Sequence, residues 1–410
     1  MSNGVSFKNI FFALIFGIAI IIAVDFFLKP YQYVNLGVIN KALEKTRQIQ
    51  EIAPQRLYIN VYRQARFAYV DTSMNGQDWK KWRYRYSSQI KTLEDANVAI
   101  NTMLASLNDP YTKFLQSKSF SEQKIILDSK ITGVGLMFNK IGEDVVVNHV
   151  LKNSSAQSEQ IMAGDTIISI NGIKTKDMTQ EQIHSLIESS KNKNINFEIK
   201  RGNEILVKNL KKTQIPIDTM KYRITKDNIA IITLANIMGS KAVLDFRNIL
   251  EKTNSAKGII IDLRNNYGGI LANAVIMADF MIKDNQIVSI NSRGKTKYQI
   301  YADEDVVFTP KPIVILVNEK TASAAEILAG TLKDNANAVL IGERTYGKNS
   351  IQQIIPMTNA SGLMITSSKY VLPKGEDIHE VGIEPDYYVE RRQVMKEAIK
   401  LINQVVKKEK

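Results

Sequence analysis

Thr321-Ala322-Ser323-Ala324-Ala325-Glu326 stands between two runs of opposite habit. Before it, Ile313-Val314-Ile315-Leu316-Val317 is a continuous apolar stretch with the length and branching of a buried strand. After it, Ala324-Ala325-Glu326-Ile327-Leu328-Ala329 is a string of good helix formers. Ser323 is therefore predicted at a strand-to-helix junction. Its hydroxyl can project from the turn, and the N–H of Ala324 is among the unpaired donors of a helix start. That layout suits a nucleophile beside half an oxyanion hole. Serine is also a common N-cap, and on the hexapeptide alone the cap is the commoner explanation. The neighbouring segments decide between them.

Upstream and downstream the pattern is α/β. Strands are predicted over Ile229-Ala230-Ile231-Ile232-Thr233-Leu234, Gly258-Ile259-Ile260-Ile261-Asp262-Leu263 and Ala338-Val339-Leu340-Ile341-Gly342, with helices over 241–252 and 271–281. The second strand opens into Arg264-Asn265-Asn266-Tyr267-Gly268-Gly269. Paired glycines let a chain turn tightly and bring N–H groups toward a ligand. The fourth strand opens into Gly342-Glu343-Arg344-Thr345-Tyr346-Gly347-Lys348. The glycine spacing is that of a phosphate loop, but Asn349 stands where a P-loop needs Ser or Thr for Mg²⁺. Lys348 can serve instead as a general base, provided burial away from other charges keeps it neutral. Gln352 is placed to hold its amine by hydrogen bond, and serine with lysine is a known alternative to the Ser-His-Asp arrangement.

A compact β-rich module is predicted over about 131–210. It contains Ile131-Thr132-Gly133-Val134-Gly135-Leu136, a strand ending on Ile170-Asn171-Gly172, a helix over 180–189 and an alternating strand over 195–201. The segment resembles a PDZ domain, through Gly133-Val134-Gly135-Leu136 and through Gly164-Asp165-Thr166-Ile167 with Ile170-Asn171-Gly172. A Gly-rich turn of N–H groups makes a nest for a C-terminal carboxylate, and an adjacent strand edge pairs with an extended peptide.

The 410-residue chain is long enough for two or three domains. It has no cysteine, which excludes disulfides and Cys-based metal sites, and its three histidines (His149, His184, His379) lie in no metal-ligand pattern. No metal and no cofactor are expected. The net charge of +13 is dispersed, which points to a solvated surface, facing anionic lipid rather than nucleic acid. Residues 10–24 are wholly apolar or Gly, and the run resumes to Leu28 before Lys29-Pro30. As a helix it spans about 28 Å, close to the hydrocarbon core of a bilayer. An uncleaved anchor over 10–28 is expected, with a cleaved signal peptide as the rival. Residues 31–125 read as mainly helical, including 96–107 and the aromatic and basic stretch Trp79-Lys80-Lys81-Trp82-Arg83-Tyr84-Arg85-Tyr86. The last twenty residues read as a basic amphipathic helix.

Taken together, the motif order resembles the C-terminal processing peptidases, or tail-specific serine proteases. The resemblance starts at Asp109-Pro110-Tyr111-Thr112-Lys113-Phe114-Leu115 and takes in the PDZ-like module, Asp262-Leu263-Arg264-Asn265-Asn266 with Gly268-Gly269, the Ser323 hexapeptide and Gly347-Lys348. It closes with Gly375, Ile378 and Gly382-Ile383-Glu384-Pro385-Asp386. It implies a multidomain α+β and α/β protein. The divisions are a membrane anchor or signal segment at 1–29, an N-terminal helical region at 30–125 and a PDZ-like domain at 126–212. An α/β peptidase core with crotonase/Clp-like strand-turn-helix units follows at 213–390, then a C-terminal helix at 391–410.

The resemblance makes Ser323 the nucleophile and Lys348 the base, with Gln352 orienting Lys348. Ala324 and one of Gly268 and Gly269 form the oxyanion hole. Gly133, Val134, Gly135 and Leu136 receive the tail of a protein substrate with an apolar C-terminus. It also implies an extracytoplasmic catalytic part and is compatible with a homo-oligomer. The family usually has proline at the position of Tyr267 and glycine at that of Asn349, and often Arg-Gly near Glu188-Ser189-Ser190. A catalytically silent PDZ scaffold and a crotonase-like acyl-CoA enzyme are the alternatives.

Overall fold

The computed structural model describes residues 53–408 apart from positions 129, 191, 217–218, 240, 296, 304–306 and 309–310. The apolar run 10–28 lies outside the described residues, and among these no helix is long and apolar enough to cross a membrane. The chain forms two compact units, one of residues 128–218 and one of the segments before and after it.

The larger unit is built on a six-stranded sheet in the order Met220–Ile224, Ile229–Leu234, Gly258–Asp262, Ile313–Val317, Val339–Gly342, Tyr387–Tyr388. The first strand is antiparallel to the second, and all later pairings are parallel. The apolar runs are continuous because both faces are covered. Along each strand, alternate residues enter different cores. Ala230, Ile232, Ile259, Ile261, Ile313 and Ile315 face the helices Ala242–Lys252, Leu271–Asp279 and Ala324–Asn335. Ile229, Ile231, Ile260, Val314 and Leu316 face Val394, Ala398 and Ile402 of the helix Val394–Lys408. The apolar stripe of this last helix is thus packed on the sheet. It sits so close that a Cβ on Gly258 would lie 2.4 Å from Ile402.

A second, antiparallel sheet was not expected from the sequence. Gly362–Val371 pairs with Lys113–Leu115, with Gln286–Ser292 and with Ser350–Pro356. Lys113–Leu115 is thus a strand in a region read as mainly helical. It is only three residues long, too short for a period to register, and its partner lies some 250 residues away. Among the described residues of that region, the helices Pro54–Ala68 and Leu93–Ala105 pack together.

The stretch from Trp79 is no continuous amphipathic helix. A 3₁₀ turn, Trp79–Lys81, is capped by Asp78, and one α turn, Trp82–Arg85, follows. Trp79 and Trp82 are core residues, Trp79 stacked on Tyr62 with ring centroids 6.1 Å apart. The Arg85 guanidinium lies 4.9 Å over the Trp82 ring.

In the smaller unit the main sheet runs Leu136–Ile141, Asp144–Val150, Thr166–Ile170, Asn194–Arg201, Glu204–Lys211. The helix Gln180–Ser189 buries Ile183 against its core. Asn171 and Gly172 both take positive φ, as a two-residue hairpin turn of the primed type demands. Leu136–Ile141 is an edge strand of this sheet, paired with Asp144–Val150.

Candidate active site

Three adjacent parallel strands deliver the site at their C-terminal ends, where ligands of open α/β sheets bind. Gly258–Asp262 leads to the Gly268-Gly269 turn, Ile313–Val317 to Ser323, and Val339–Gly342 to Lys348.

Ser323 is half-buried at the start of the helix Ala324–Asn335, with φ 56° and ψ −120°. A non-glycine residue rarely adopts that conformation, and it persists where its surroundings over-determine it. Here the surroundings are explicit. The Ser323 N–H donates to Glu326 Oε2 at 2.7 Å, and its carbonyl accepts from Tyr370 Oη at 3.2 Å. The N–H of Ala322 donates to the Asn266 carbonyl at 3.0 Å, and Thr321 Oγ1 donates to the Leu263 carbonyl at 2.9 Å. The serine turn and the glycine turn are therefore laced together.

Asn266, wholly buried, shapes the glycine turn. Its Nδ2 donates to the Leu234 carbonyl and its Oδ1 accepts from Gly268 N, both at 2.9 Å. Gly268 has φ 95°, and a Cβ there would lie 2.6 Å from the Ala322 carbonyl and 3.0 Å from both Ala324 N and Ser323 Cβ. Only glycine fits so close to the nucleophile turn. The carbonyl of Gly268 and the N–H of Ile270 both bond Ile237, so the Gly269 N–H points away from Ile237.

Glu326 is the functional residue that sequence reasoning missed, although it closes the opening hexapeptide. Its side chain is fully buried and accepts four hydrogen bonds. Oε1 takes Thr345 Oγ1 at 2.6 Å and Gly347 N at 2.7 Å, and Oε2 takes Ser323 N at 2.7 Å and Lys348 N at 2.9 Å. Burial pushes its carboxyl above the usual range, and the four donors oppose that rise. A capping-box glutamate three residues after a serine was a legible signal. Its second half, the tie to the Lys348 loop, was not.

Lys348 Nζ donates to Gln352 Oε1 at 2.6 Å and to the Ser350 carbonyl at 3.2 Å. Gln352 Nε2 in turn donates to Ser350 Oγ at 3.0 Å and Thr366 Oγ1 at 3.1 Å, which fixes which amide atom faces the lysine. Neither hydrogen bond of Nζ goes to Ser323. Burial holds the Lys348 amine down at about 8, against the pull of Glu326 and Asp109. The expectation of a lysine away from other charges is thus corrected. Two acids lie near it, and desolvation still prevails.

In the smaller unit, Gly133-Val134-Gly135 leads into the edge strand that starts at Leu136. Gly135 has φ 89°, and a Cβ on it would collide with Ser154 at 2.1 Å. Leu136 and Leu186 lie partly buried beside the core, while Ile183 is wholly enclosed. The Gln180 side chain bonds the Phe138 carbonyl and the Lys140 N–H, each at 3.4 Å, so the far end of the edge is already engaged. Among the described residues no group of His, Asp and Glu could hold a metal ion.

A model of peptidase family S41 matches residues 228–389, and a PDZ model matches residues 125–200. The chain is 32% identical to the carboxyl-terminal-processing protease of Picosynechococcus sp., over 82% of this chain and 83% of that protein. It is 30% identical to the carboxyl-terminal-processing protease of Synechocystis sp., over 90% and 87% of the two chains. Among solved structures it is similar to a photosystem II D1 C-terminal processing protease, with 28% identity, a TM-score of 0.54, and coverage of 83% of this chain and 94% of that one.

The geometry around Glu326 yields a test of the frame. Glu326→Gln puts an NH₂ against backbone donors and strands at least one of them. Unfolding in denaturant should show a loss of at least about 2 kcal/mol. An unchanged midpoint would mean that this carboxylate does not tie the two loops.

Proposed function

This chain belongs to the carboxyl-terminal-processing proteases of peptidase family S41, and we propose that it cleaves protein substrates near their C-termini with Ser323 as nucleophile and Lys348 as general base. It is a serine-type peptidase. The observation that carries the assignment of the dyad is the shared anchor: one oxygen of Glu326 accepts the N–H groups of both Ser323 and Lys348. Two segments that meet nowhere in the sequence are pinned to one buried atom.

In the proposed mechanism neutral Lys348 takes the proton of Ser323 Oγ as that oxygen attacks the scissile carbonyl. Catalytic hydrogen bonds tighten in the Michaelis complex, and Gln352 and Ser350 hold the amine ready for the approach. The Ala324 N–H and a glycine N–H receive the oxyanion. Gly269 is the better candidate for that glycine, because Gly268 spends its N–H on Asn266. The Lys348 ammonium then protonates the leaving amine, and water releases the acyl group from Ser323. No cofactor takes part in these steps. Gly133, Val134, Gly135 and Leu136 bind the substrate's terminal carboxylate and pair with its last residues, next to the apolar side chains of Leu136 and Leu186. Residues 10–28 hold the protein on a bilayer, with the catalytic part extracytoplasmic. The support for that is the apolar length of the run.

Ser323→Ala and Lys348→Ala should each abolish peptide cleavage, read as fragments by mass spectrometry. Lys348→Arg should be as inactive, because a guanidinium does not deprotonate. The neutral base accumulates as pH rises, so kcat/KM should climb through a midpoint near 8 and level off above it. Near-normal turnover by Lys348→Ala would refute the dyad. For the tail site, amidating the C-terminus of a substrate peptide should weaken binding and slow cleavage, since charge-assisted bonds to N–H groups are about twice as strong as neutral ones. Equal behaviour of acid and amide would exclude carboxylate reading. For the anchor, the full chain should sediment with membranes, and a soluble mature form starting near residue 25–30 would show a signal peptide instead.

A further inference from the structure

The turn Asp109-Pro110-Tyr111-Thr112 has no part in the chemistry above, yet it ends beside Lys348. Asp109 builds the turn: Oδ1 accepts from Tyr111 N at 3.0 Å and Oδ2 from Thr112 Oγ1 at 2.6 Å. Thr112 Oγ1 accepts from Thr366 N at 3.0 Å, which pins the turn to the strand Gly362–Val371. Thr366 Oγ1 accepts from Gln352, and Gln352 Oε1 accepts from Lys348 Nζ. A hydrogen-bonded path thus runs from Asp109 to the lysine amine.

The same turn presents Tyr111 to that amine from another side. Lys348 Nζ lies 4.7 Å from the centre of the Tyr111 ring. Tyr111 Oη also donates to Tyr346 Oη at 3.4 Å, two residues before Lys348. Nζ has two oxygen acceptors, Gln352 Oε1 and the Ser350 carbonyl. Two acceptors satisfy the two N–H groups of a neutral amine, whereas an ammonium has three. A ring face attracts a cation and is nearly indifferent to a neutral amine. The ring therefore acts on the form of Lys348 that exists after it has taken a proton. The charged groups whose fields reach Nζ are Glu326 and Asp109. Tyr111 adds no charge of its own, because burial pushes its phenol further above the usual range.

We propose that Tyr111 is a positioning residue for the general base: its ring face seats the Lys348 amine and stabilises the ammonium formed as Ser323 is deprotonated. The proposal rests on the reading of Lys348 as the base. The measurement is the acid limb of kcat/KM against pH on the full chain, with an internally quenched peptide that ends in a free apolar C-terminus. Tyr111→Phe keeps the ring face and should keep the limb where the unmodified chain has it. Tyr111→Leu should move the limb to lower pH by about half a unit to one unit, with a three- to tenfold fall in kcat.

Phenylalanines bearing increasing numbers of ring fluorines at position 111 keep the shape while draining the face of negative charge. They should move the limb stepwise in the same direction, and they decide the matter if Tyr111→Leu does not fold. A limb that stays fixed along the fluorinated series overturns the proposal. The base is checked separately. The chain has no cysteine, so Lys348→Cys can be alkylated at that site alone to a thioether amine of lower basicity. A limb that then moves down confirms Lys348 as the titrating group. A limb that does not move overturns the base assignment and this proposal with it.

Discussion

The structure depends on one buried carboxylate. Glu326 sits inside the protein and is held by donors from two loops, with no side-chain cation bonded to it among the described residues. A carboxylate taken out of water is costly unless its lone pairs are filled, and here three backbone N–H groups and the Thr345 hydroxyl fill them. The cost makes the arrangement rigid, because displacing either loop would strand both the acid and a buried N–H. That rigidity lets Ser323 persist at a φ of 56°. It also keeps the Lys348 loop against the helix that Ser323 opens.

The same economy of burial sets the state of Lys348. Desolvation favours the neutral amine, and the nearby Glu326 and Asp109 pull it back toward the charged form. The amine ends near 8 because burial outweighs the two acids. A base poised a little above neutrality both accepts and returns a proton readily. Gln352 and Ser350 direct the amine by hydrogen bonds, and the Tyr111 ring lies against it without adding a further charge.

The frame beneath the site is ordinary α/β physics. Each central strand feeds two cores, which is why the runs around Ile260 and Ile315 read as unbroken apolar stretches. The antiparallel sheet beside it obeys another logic. Gly362–Val371 mixes buried and half-buried residues and recruits Lys113–Leu115 from far along the chain. This distant recruitment places the Asp109 turn and the Tyr111 ring next to a lysine that follows them by more than two hundred residues.

The strand-turn-helix units were legible in the sequence because each is local. Ile313–Val317 and Gln180–Ser189 fall where periodicity placed them, and Asn171-Gly172 makes its turn because two positive φ angles suit those residues. The family was legible too, since its motifs keep their order along the chain. What the sequence could not show is what depends on distance. Glu326 reads as a helix cap until the Lys348 loop arrives on its other face. Lys113–Leu115 is too short to carry a period, and Trp79 to Tyr86 breaks into two turns because its rings are drawn into a core formed with Tyr62. Local propensity is written in neighbouring residues. Desolvation, a shared hydrogen-bond acceptor and a ring over an amine exist only once distant segments have met, so the tertiary structure alone decided them.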